Sequence, residues 1–153
     1  MFTLVPSRFF DPATARKALS EVAELKEGDE VAQLAIPQYD AVLVYTKGGD
    51  SVIVEGLPEM YRMLRQLPRC TEYNKILCSL RDGRLFLAVA QGKNLLLANS
   101  FAAQDFTTAQ YYIFLSLKSL QLNPEVSTIC WMTPLDAEDE MSLYRYFKAV
   151  VLP

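Results

Sequence analysis

From Lys75 to Leu152, apolar residues occur first in three short runs and then in alternating longer and shorter segments. The three runs, Ile76–Leu80, Leu85–Ala90 and Leu95–Phe101, have the length and composition of β-strands. The connections between them are Asp82-Gly83 and Gln91-Gly92-Lys93-Asn94. Short connections that contain glycine are typical of antiparallel hairpins, so this pattern predicts a three-stranded meander.

The segments after the meander predict a long helix, a strand, a second helix and a final strand. Their expected bounds are Phe106–Leu122, Thr128–Met132, Glu138–Phe147 and Ala149–Leu152. A β-β-β-α-β-α-β order predicts a mixed sheet with helices packed on it, within the α+β class. It is the order of the ribonuclease H-like half-domain, which is also the building block of actin-like ATPases.

The first half of the chain has a less regular pattern. It predicts strands at Phe2–Val5, Glu30–Ile36, Ala41–Tyr45 and Val52–Glu55, helices at Pro12–Leu25 and Leu57–Leu67, and a turn at Gly48-Gly49-Asp50. Asp11 has the position of a cap for the first helix, and the second and third strands are expected to pair. We place the boundary after Asn74, so that residues 1–74 form a partial α/β subdomain packed on a ribonuclease H-like subdomain of residues 75–153.

The predicted helix Phe106–Leu122 is apolar around much of its circumference. One stripe contains Ala109, Tyr112, Ile113, Leu117 and Leu120, whereas Tyr111, Phe114, Leu115 and Leu122 lie largely outside it. One sheet face cannot cover both sets of side chains. The remaining surface is expected to be covered by a second layer of this chain, by a partner subunit or by a missing domain.

Composition narrows the possible roles. Fifteen basic and 18 acidic residues are scattered along the 153 positions, which argues against a nucleic-acid partner. No apolar run is long enough to span a membrane, so no membrane association is expected. Three cysteines at unrelated spacings are expected to be reduced thiols, which favours a cytoplasmic protein.

The residue types that metal and acid–base chemistry need are scarce. The chain has no histidine, the commonest general base and zinc ligand. Ribonuclease H chemistry needs carboxylates from the first and fourth strands to hold two metal ions. Those strands offer Cys78 and Ser79, and Cys130 and Trp131, instead. We therefore expect neither a catalytic residue nor a metal site.

Four segments of the chain resemble an uncharacterised bacterial family of unknown function. They are Phe2–Asp11, Ala41–Tyr45, Gly83–Val89 and Lys93–Phe101, of which the Leu-Leu-Leu-Ala-Asn-Ser-Phe run is the most specific. The resemblance implies the actin-like ATPase fold that is shared by sugar kinases, heat-shock chaperones and actin. It further implies that this chain corresponds to the later portion of a longer protein with another ribonuclease H-like domain ahead of it.

Nucleotide-binding members of that superfamily carry an Asp, glycines and a hydroxyl residue around the first hairpin turn. This chain has Arg81-Asp82-Gly83-Arg84, with one glycine and no hydroxyl. Asp82-Gly83 is better explained as the centre of a type I′ turn. The weak candidates for an anionic ligand are Arg81, Asp82, Gly83, Arg84 and Lys93, unless they form only a solvated rim of loops. The adenosine-contacting position is Thr133-Pro134 rather than a glycine pair, so we expect no cofactor, with ATP as the alternative.

These observations favour a non-catalytic scaffold or protein-interaction module on a degenerate actin-like ATPase fold. The helix Phe106–Leu122 is its candidate contact surface for a protein partner or a homo-oligomer. Two alternatives stay open. One is a nucleotide-binding protein or weak ATPase of the actin-like superfamily, and the other is a self-assembling structural protein.

Overall fold

A computed structural model of the protein describes residues 1–47, 53–54 and 56–152. The chain divides into two compact units, Met1–Arg65 and Gln66–Pro153. The division falls ahead of the boundary predicted after Asn74. One reason is that residues 66–73, which lead into the meander, belong to the second unit. The carbonyl of Tyr73 accepts a hydrogen bond from the amide of Gly92 at 2.9 Å.

In its described residues, the first unit contains a three-stranded antiparallel sheet, a two-stranded antiparallel sheet and two α-helices. Its elements are β1 (Phe2–Pro6), α1 (Ala15–Ser20), β2 (Glu30–Ile36), β3 (Ala41–Lys47), β4 (Ile53–Val54), β5 (Leu57–Pro58) and α2 (Glu59–Gln66), whose last residue lies at the division. The sheet order is β1-β3-β2, and the predicted pairing of β2 with β3 is confirmed. Ala15, Leu19 and Val44 form the buried centre of this unit.

Helix α1 is shorter than predicted. The Asp11 carboxylate accepts a hydrogen bond from the amide of Ala13, as expected of a cap, but it caps the 3-10 turn Pro12–Thr14 that precedes the α-helix. The helix ends at Ser20 instead of Leu25. The Ser20 hydroxyl donates to the carbonyl of Lys17 at 2.6 Å, and such a side-chain bond competes with the helical backbone pattern.

Helix α2 also differs from its prediction, because Leu57 and Pro58 are extended and the helix starts at Glu59. Leu57 precedes a proline, and in that position the helical backbone conformation is disfavoured. The extended conformation that it adopts instead lets β5 pair with β4. Of the strand predicted at Val52–Glu55, residues Ile53–Val54 are confirmed as β4 and the rest lies outside the described residues. The predicted turn Gly48-Gly49-Asp50 also lies outside them.

The second unit confirms the predicted element order. It contains β6 (Asn74–Arg81), β7 (Arg84–Gln91), β8 (Asn94–Ala102), α3 (Phe106–Ser119), β9 (Thr128–Trp131), α4 (Ala137–Tyr144) and β10 (Ala149–Val151). The sheet order is β10-β9-β6-β7-β8. The meander strands are antiparallel, and β9 joins β6 and β10 in parallel, which makes the sheet mixed.

One face of this sheet forms the core of the second unit together with α3 and α4. Register places Cys78 beside both Leu87 and Trp131 on that face. Their side chains pack with Ile113 of α3 and Leu143 of α4, and all five residues are at most 2% exposed. Alternation along the strands sends Leu77 and Cys130 to the opposite face.

Both helices of the second unit end earlier than predicted. Helix α3 stops at Ser119 rather than Leu122, because Gln121 takes a left-handed conformation at φ 58°. The amide of Gln121 then donates to the carbonyl of Lys118 and the amide of Leu122 to that of Leu117, which is a Schellman motif. Helix α4 spans Ala137–Tyr144 instead of Glu138–Phe147.

Candidate functional site

A cavity of about 470 Å³ opens on the sheet face opposite the core of the second unit. Leu77, Thr128 and Cys130 line it from the sheet, and the connector Gln66–Glu72 lines it from the side. Both charge signs are present at the rim, through Arg69 and Glu72. A concave site with an apolar floor and a few polar groups is the usual form of a small-molecule site.

The floor of the cavity contains an unsatisfied polar atom. Thr128 is only 4% exposed, and its Oγ1 has no hydrogen-bond partner within the described part of the chain. Most buried side-chain oxygen atoms in proteins do have a partner. This strand position therefore carries a hydrogen-bonding group to which the described residues offer no partner.

Two thiols meet at the cavity. The Sγ atoms of Cys70 and Cys130 lie 3.4 Å apart, close enough for one thiol to donate a hydrogen bond to the other. Cys70 follows the 3-10 turn Leu67–Arg69 and is half-buried, whereas Cys130 is fixed in the buried strand β9. No disulfide joins them, and the sequence did not predict that these two thiols meet.

The electrostatic surroundings make the two thiols unequal. The hydrogen bond from Cys130, helped by the ammonium group of Lys75, outweighs burial and lowers the pKa of Cys70 to about 7. The same contact, together with burial, raises the pKa of Cys130 far above its ordinary value. The Lys75 ammonium is held in place because it donates to the carbonyls of Cys70 and Glu72, each at 3.2 Å. Cys70 is therefore the thiol that ionises first.

The first hairpin turn has the conformation predicted for it. Asp82 and Gly83 have φ angles of 51° and 73°, which is the positive pair that a type I′ turn requires. The carbonyl of Gly83 accepts a hydrogen bond from the amide of Ala103, and the side-chain amide of Gln104 lies over the glycine. The turn is thus packed against the start of the segment that leads into α3.

The structure does not bring the weak candidates for an anionic ligand together. Arg81, Asp82, Gly83 and Arg84 lie at one end of β7, where the Arg84 guanidinium donates to the hydroxyl of Ser100. Lys93 lies in the turn at the other end of this eight-residue strand, roughly 25 Å away at the usual rise per residue. Arg81 and Arg84 therefore lie too far from Lys93 for one small anion to contact all three.

The position after β9 has a structural role. The hydroxyl of Thr133 accepts hydrogen bonds from the indole nitrogen of Trp131 at 2.9 Å and from the amide of Leu80 at 3.2 Å. Thr133 is 6% exposed, so both bonds are shielded from water. The bonds join the ends of the parallel strands β6 and β9 at the place where nucleotide-binding members are expected to contact adenosine.

Helix α3 presents an outer face of aromatic and aliphatic side chains. Tyr111 is 62% and Leu115 is 45% exposed, and the two lie one helical turn apart. Phe114 lies beside them, with its ring 4.9 Å from that of Tyr146, which is 48% exposed. The prediction that one sheet cannot cover this helix is confirmed for Tyr111 and Leu115.

Neither a metal-binding cluster nor a membrane-spanning helix is found in residues 1–47, 53–54 and 56–152. In that part of the chain, no three Asp, Glu, Cys or His side chains come close enough to hold a metal ion. None of the helices between Met1 and Leu152, as far as the structure describes them, is long and apolar enough to cross a membrane.

Comparisons with known proteins show a family and a similar fold. Residues 51–150 match the model of a family described as "Protein of unknown function (DUF3822)". A crystal structure from Bacteroides thetaiotaomicron, of a protein with actin-like ATPase fold and unknown function, is similar with a TM-score of 0.75 at 19% identity. The match covers 99% of this chain and 64% of the other, so this chain spans less than two thirds of that protein's length. No significant match to a curated protein was found. The α+β prediction and the actin-like ATPase fold are confirmed.

Proposed function

The chain belongs to the DUF3822 family of unknown function, and we propose that it is a non-catalytic protein-interaction module whose partner is a second copy of itself. The observation that carries this proposal is the outer face of α3, where Tyr111 and Leu115 are exposed one turn apart. Tyrosine and other aromatic residues are enriched at protein interfaces because they bury a large area and keep a polar group at the rim.

The charge pattern of α3 supports a second copy as the occupant. No Asp, Glu, Lys or Arg occurs from Phe106 to Leu117, although the exposed face of a solvated helix normally carries charged residues. A face without charge neither repels an identical face nor attracts a charged one. It leaves burial of apolar area as the main force for association.

The order of side chains along the helix is compatible with two-fold symmetry. In an isologous contact, a residue i of one copy meets residue j of the other and the reverse contact follows by symmetry. If two α3 helices cross antiparallel between these positions, Tyr111 of one copy packs on Leu115 of the other. The Phe114 and Tyr146 rings flank that contact.

The experiment is sedimentation velocity over a range of protein concentrations, with two variants. The wild type is expected to shift from monomer to dimer, and Tyr111→Glu/Leu115→Glu to stay monomeric. The control is Tyr73→Glu, which places the same charge on a tyrosine that is 66% exposed and lies outside α3; it is expected to dimerise like the wild type. A wild type that stays monomeric, or a double variant that dimerises normally, would overturn the second copy as the partner.

The non-catalytic part of the proposal is tested separately with Mg-ATP. A protein that binds the nucleotide in its folded state unfolds at a higher temperature when the nucleotide is present. The packed Asp82-Gly83 turn and the engaged Thr133 hydroxyl support an unchanged midpoint. A rise of several degrees in Mg-ATP, absent with Mg²⁺ alone, would favour the nucleotide-binding alternative instead.

We also propose that the protein is cytoplasmic. Three free cysteines, two of them buried, suit a reducing compartment better than an oxidising one. Cell fractionation followed by thiol labelling of the denatured protein tests this placement, and recovery in an oxidised, secreted fraction would contradict it.

A further inference from the structure

We propose that Cys70 and Cys130 form a peroxide-reactive dithiol, in which a hydroperoxide that enters the cavity oxidises Cys70 and Cys130 then closes an intrachain disulfide. The proposal is independent of the α3 surface. Its geometric basis is the 3.4 Å separation of the two Sγ atoms at the wall and floor of one cavity. Susceptibility of a cysteine to oxidation follows its thiolate character and its exposure, and redox-sensing cysteines often lie beside a resolving cysteine.

Cys70 has the properties of the attacking thiol. It is half-buried and lines the cavity, so a small oxidant reaches it without unfolding the sheet. Its pKa of about 7 gives a substantial thiolate fraction at neutral pH, and thiolate is the nucleophilic form. The Lys75 ammonium, which is 7% exposed and anchored to two carbonyls, supplies fixed positive charge near that sulfur.

Cys130 has the properties of the resolving thiol. It is held in β9 between β6 and β10, with its sulfur 3.4 Å from that of Cys70. Its raised pKa keeps it protonated while Cys70 is the thiolate, and it gives up that proton when it attacks the oxidised Cys70. Cys78 provides an internal contrast. It is fully buried, and burial raises its pKa, so it is not expected to react in the folded protein.

The proposed chemistry has two balanced steps. The Cys70 thiolate attacks one peroxide oxygen, an S–O bond forms and the O–O bond breaks, and the leaving oxygen takes up a proton as water or an alcohol. The sulfur loses two electrons and the peroxide gains them, which gives a sulfenic acid. Cys130 then attacks the Cys70 sulfur, an S–S bond forms and the S–O bond breaks. The departing hydroxide combines with the Cys130 proton as a second water.

The disulfide requires only a small local movement. A sulfur–sulfur bond is about 2.05 Å long, so the two sulfur atoms must approach by about 1.4 Å. Cys70 lies outside the regular strands and follows a short 3-10 turn, so the connector is the side that moves. The bond would tie the cavity wall to its floor and change the shape of the cavity.

The experiment treats the full chain with stoichiometric hydrogen peroxide at neutral pH, followed by intact-mass measurement and peptide mapping. The expected product is lighter by two hydrogen atoms, contains a peptide pair linked through Cys70 and Cys130, and regains its mass on reduction with dithiothreitol. Cys78 should be alkylated only after denaturation.

Three variants make the assignment specific. Cys130→Ser should stop at a sulfenic acid on Cys70, which dimedone traps, and Cys70→Ser should lose the fast reaction. Cys78→Ala is the matched control and should react like the wild type. A disulfide that joins two copies or involves Cys78, an unchanged mass in the wild type, or wild-type oxidation of Cys70→Ser would each overturn the proposal.

Discussion

The indole nitrogen of Trp131 donates a hydrogen bond to the hydroxyl of Thr133, two residues further along the chain, at 2.9 Å. Trp131 is 2% exposed and fills the core, and the same hydroxyl also binds the amide of Leu80 at the end of β6. One buried oxygen therefore satisfies two donors from adjacent strands.

Removal of that oxygen should be costly. Thr133→Val keeps the shape but leaves the indole and the Leu80 amide without a partner, so we expect a loss of about 2 kcal/mol in the free energy of unfolding. Urea denaturation measures it. Thr133→Ser, which retains the hydroxyl, is the control and should lose clearly less. Equal losses for the two variants would mean that the Thr133 methyl group, not its oxygen, stabilises the fold.

The end of α3 offers a stabilising substitution. Gln121 has a φ of 58°, which favours glycine over residues with a side chain. Gln121→Gly should therefore raise the free energy of unfolding by about 0.5 to 1 kcal/mol. The control is Lys118→Gly within α3, where glycine should cost about 1 kcal/mol. Thermal unfolding of both variants tests the prediction, and a destabilised Gln121→Gly variant would contradict it.

Alanine substitutions at Gly83 and Gly28 distinguish the cost of backbone strain from the cost of steric crowding. Gly83 and Gly28 both have positive φ, at 73° and 92°, but a Cβ on Gly83 would lie 2.6 Å from Nε2 of Gln104, whereas around Gly28 the space is open. Both alanine variants should lose about 1 kcal/mol of stability through strain. Gly83→Ala should lose little more than Gly28→Ala, because the Gln104 side chain is flexible and can move. If Gly83→Ala is much the worse, as measured in urea, then Gln104 is held rigidly over the turn.

The reactivity of Cys70 should depend on pH in a defined way. Iodoacetamide alkylates the thiolate form. The alkylation rate of Cys70 should therefore be half-maximal near pH 7 and should fall further at lower pH. Since the thiol of Cys130 is the largest cause of the lowered pKa, Cys130→Ala should move that midpoint upward more than Lys75→Met does.

A charged residue that is not a cause of the lowered pKa of Cys70 provides the control for the alkylation experiment. Arg69 and Glu72 line the same cavity, and Glu72 also forms an ion pair with Lys148 at 3.7 Å on the exposed surface. Lys148→Met should leave the Cys70 midpoint where it is. A wild-type midpoint near pH 8.5, the value of an ordinary thiol, would contradict the assignment of Cys70 as the ionised partner.

Local sequence signals predicted the meander well. The Asp82-Gly83 pair sets a turn that needs positive φ at two successive residues, and the flanking apolar runs then pair in a fixed register. The same signals misplaced the end of α1, which is Ser20 rather than Leu25, and at Ser20 the hydroxyl bonds to the carbonyl of Lys17. Propensity does not distinguish a serine that faces solvent from one that bonds to its own helix.

Non-local contacts were beyond the reach of the pattern. Cys70 and Cys130 are 60 positions apart, and neither lies in a motif that links them. Their meeting depends on the register of Leu77 with Cys130 and on the path of the connector. Lys93 shows the opposite case: it is near Arg84 in sequence, but the extended strand β7 between them places the two residues at opposite ends of that strand.

The sheet order β10-β9-β6-β7-β8 also has a consequence for the order in which the strands pair during folding. The meander forms through two short hairpins. The pairing of Lys75 with Thr128, in contrast, joins two strands that are separated in sequence by the rest of the meander and α3. Contacts that close long loops form late. We therefore expect the meander to form early, and β9 to dock last. Cys130 lies in β9 and cannot contact Cys70 until β9 has paired with β6. A short distance between these two sulfur atoms therefore indicates that folding is complete.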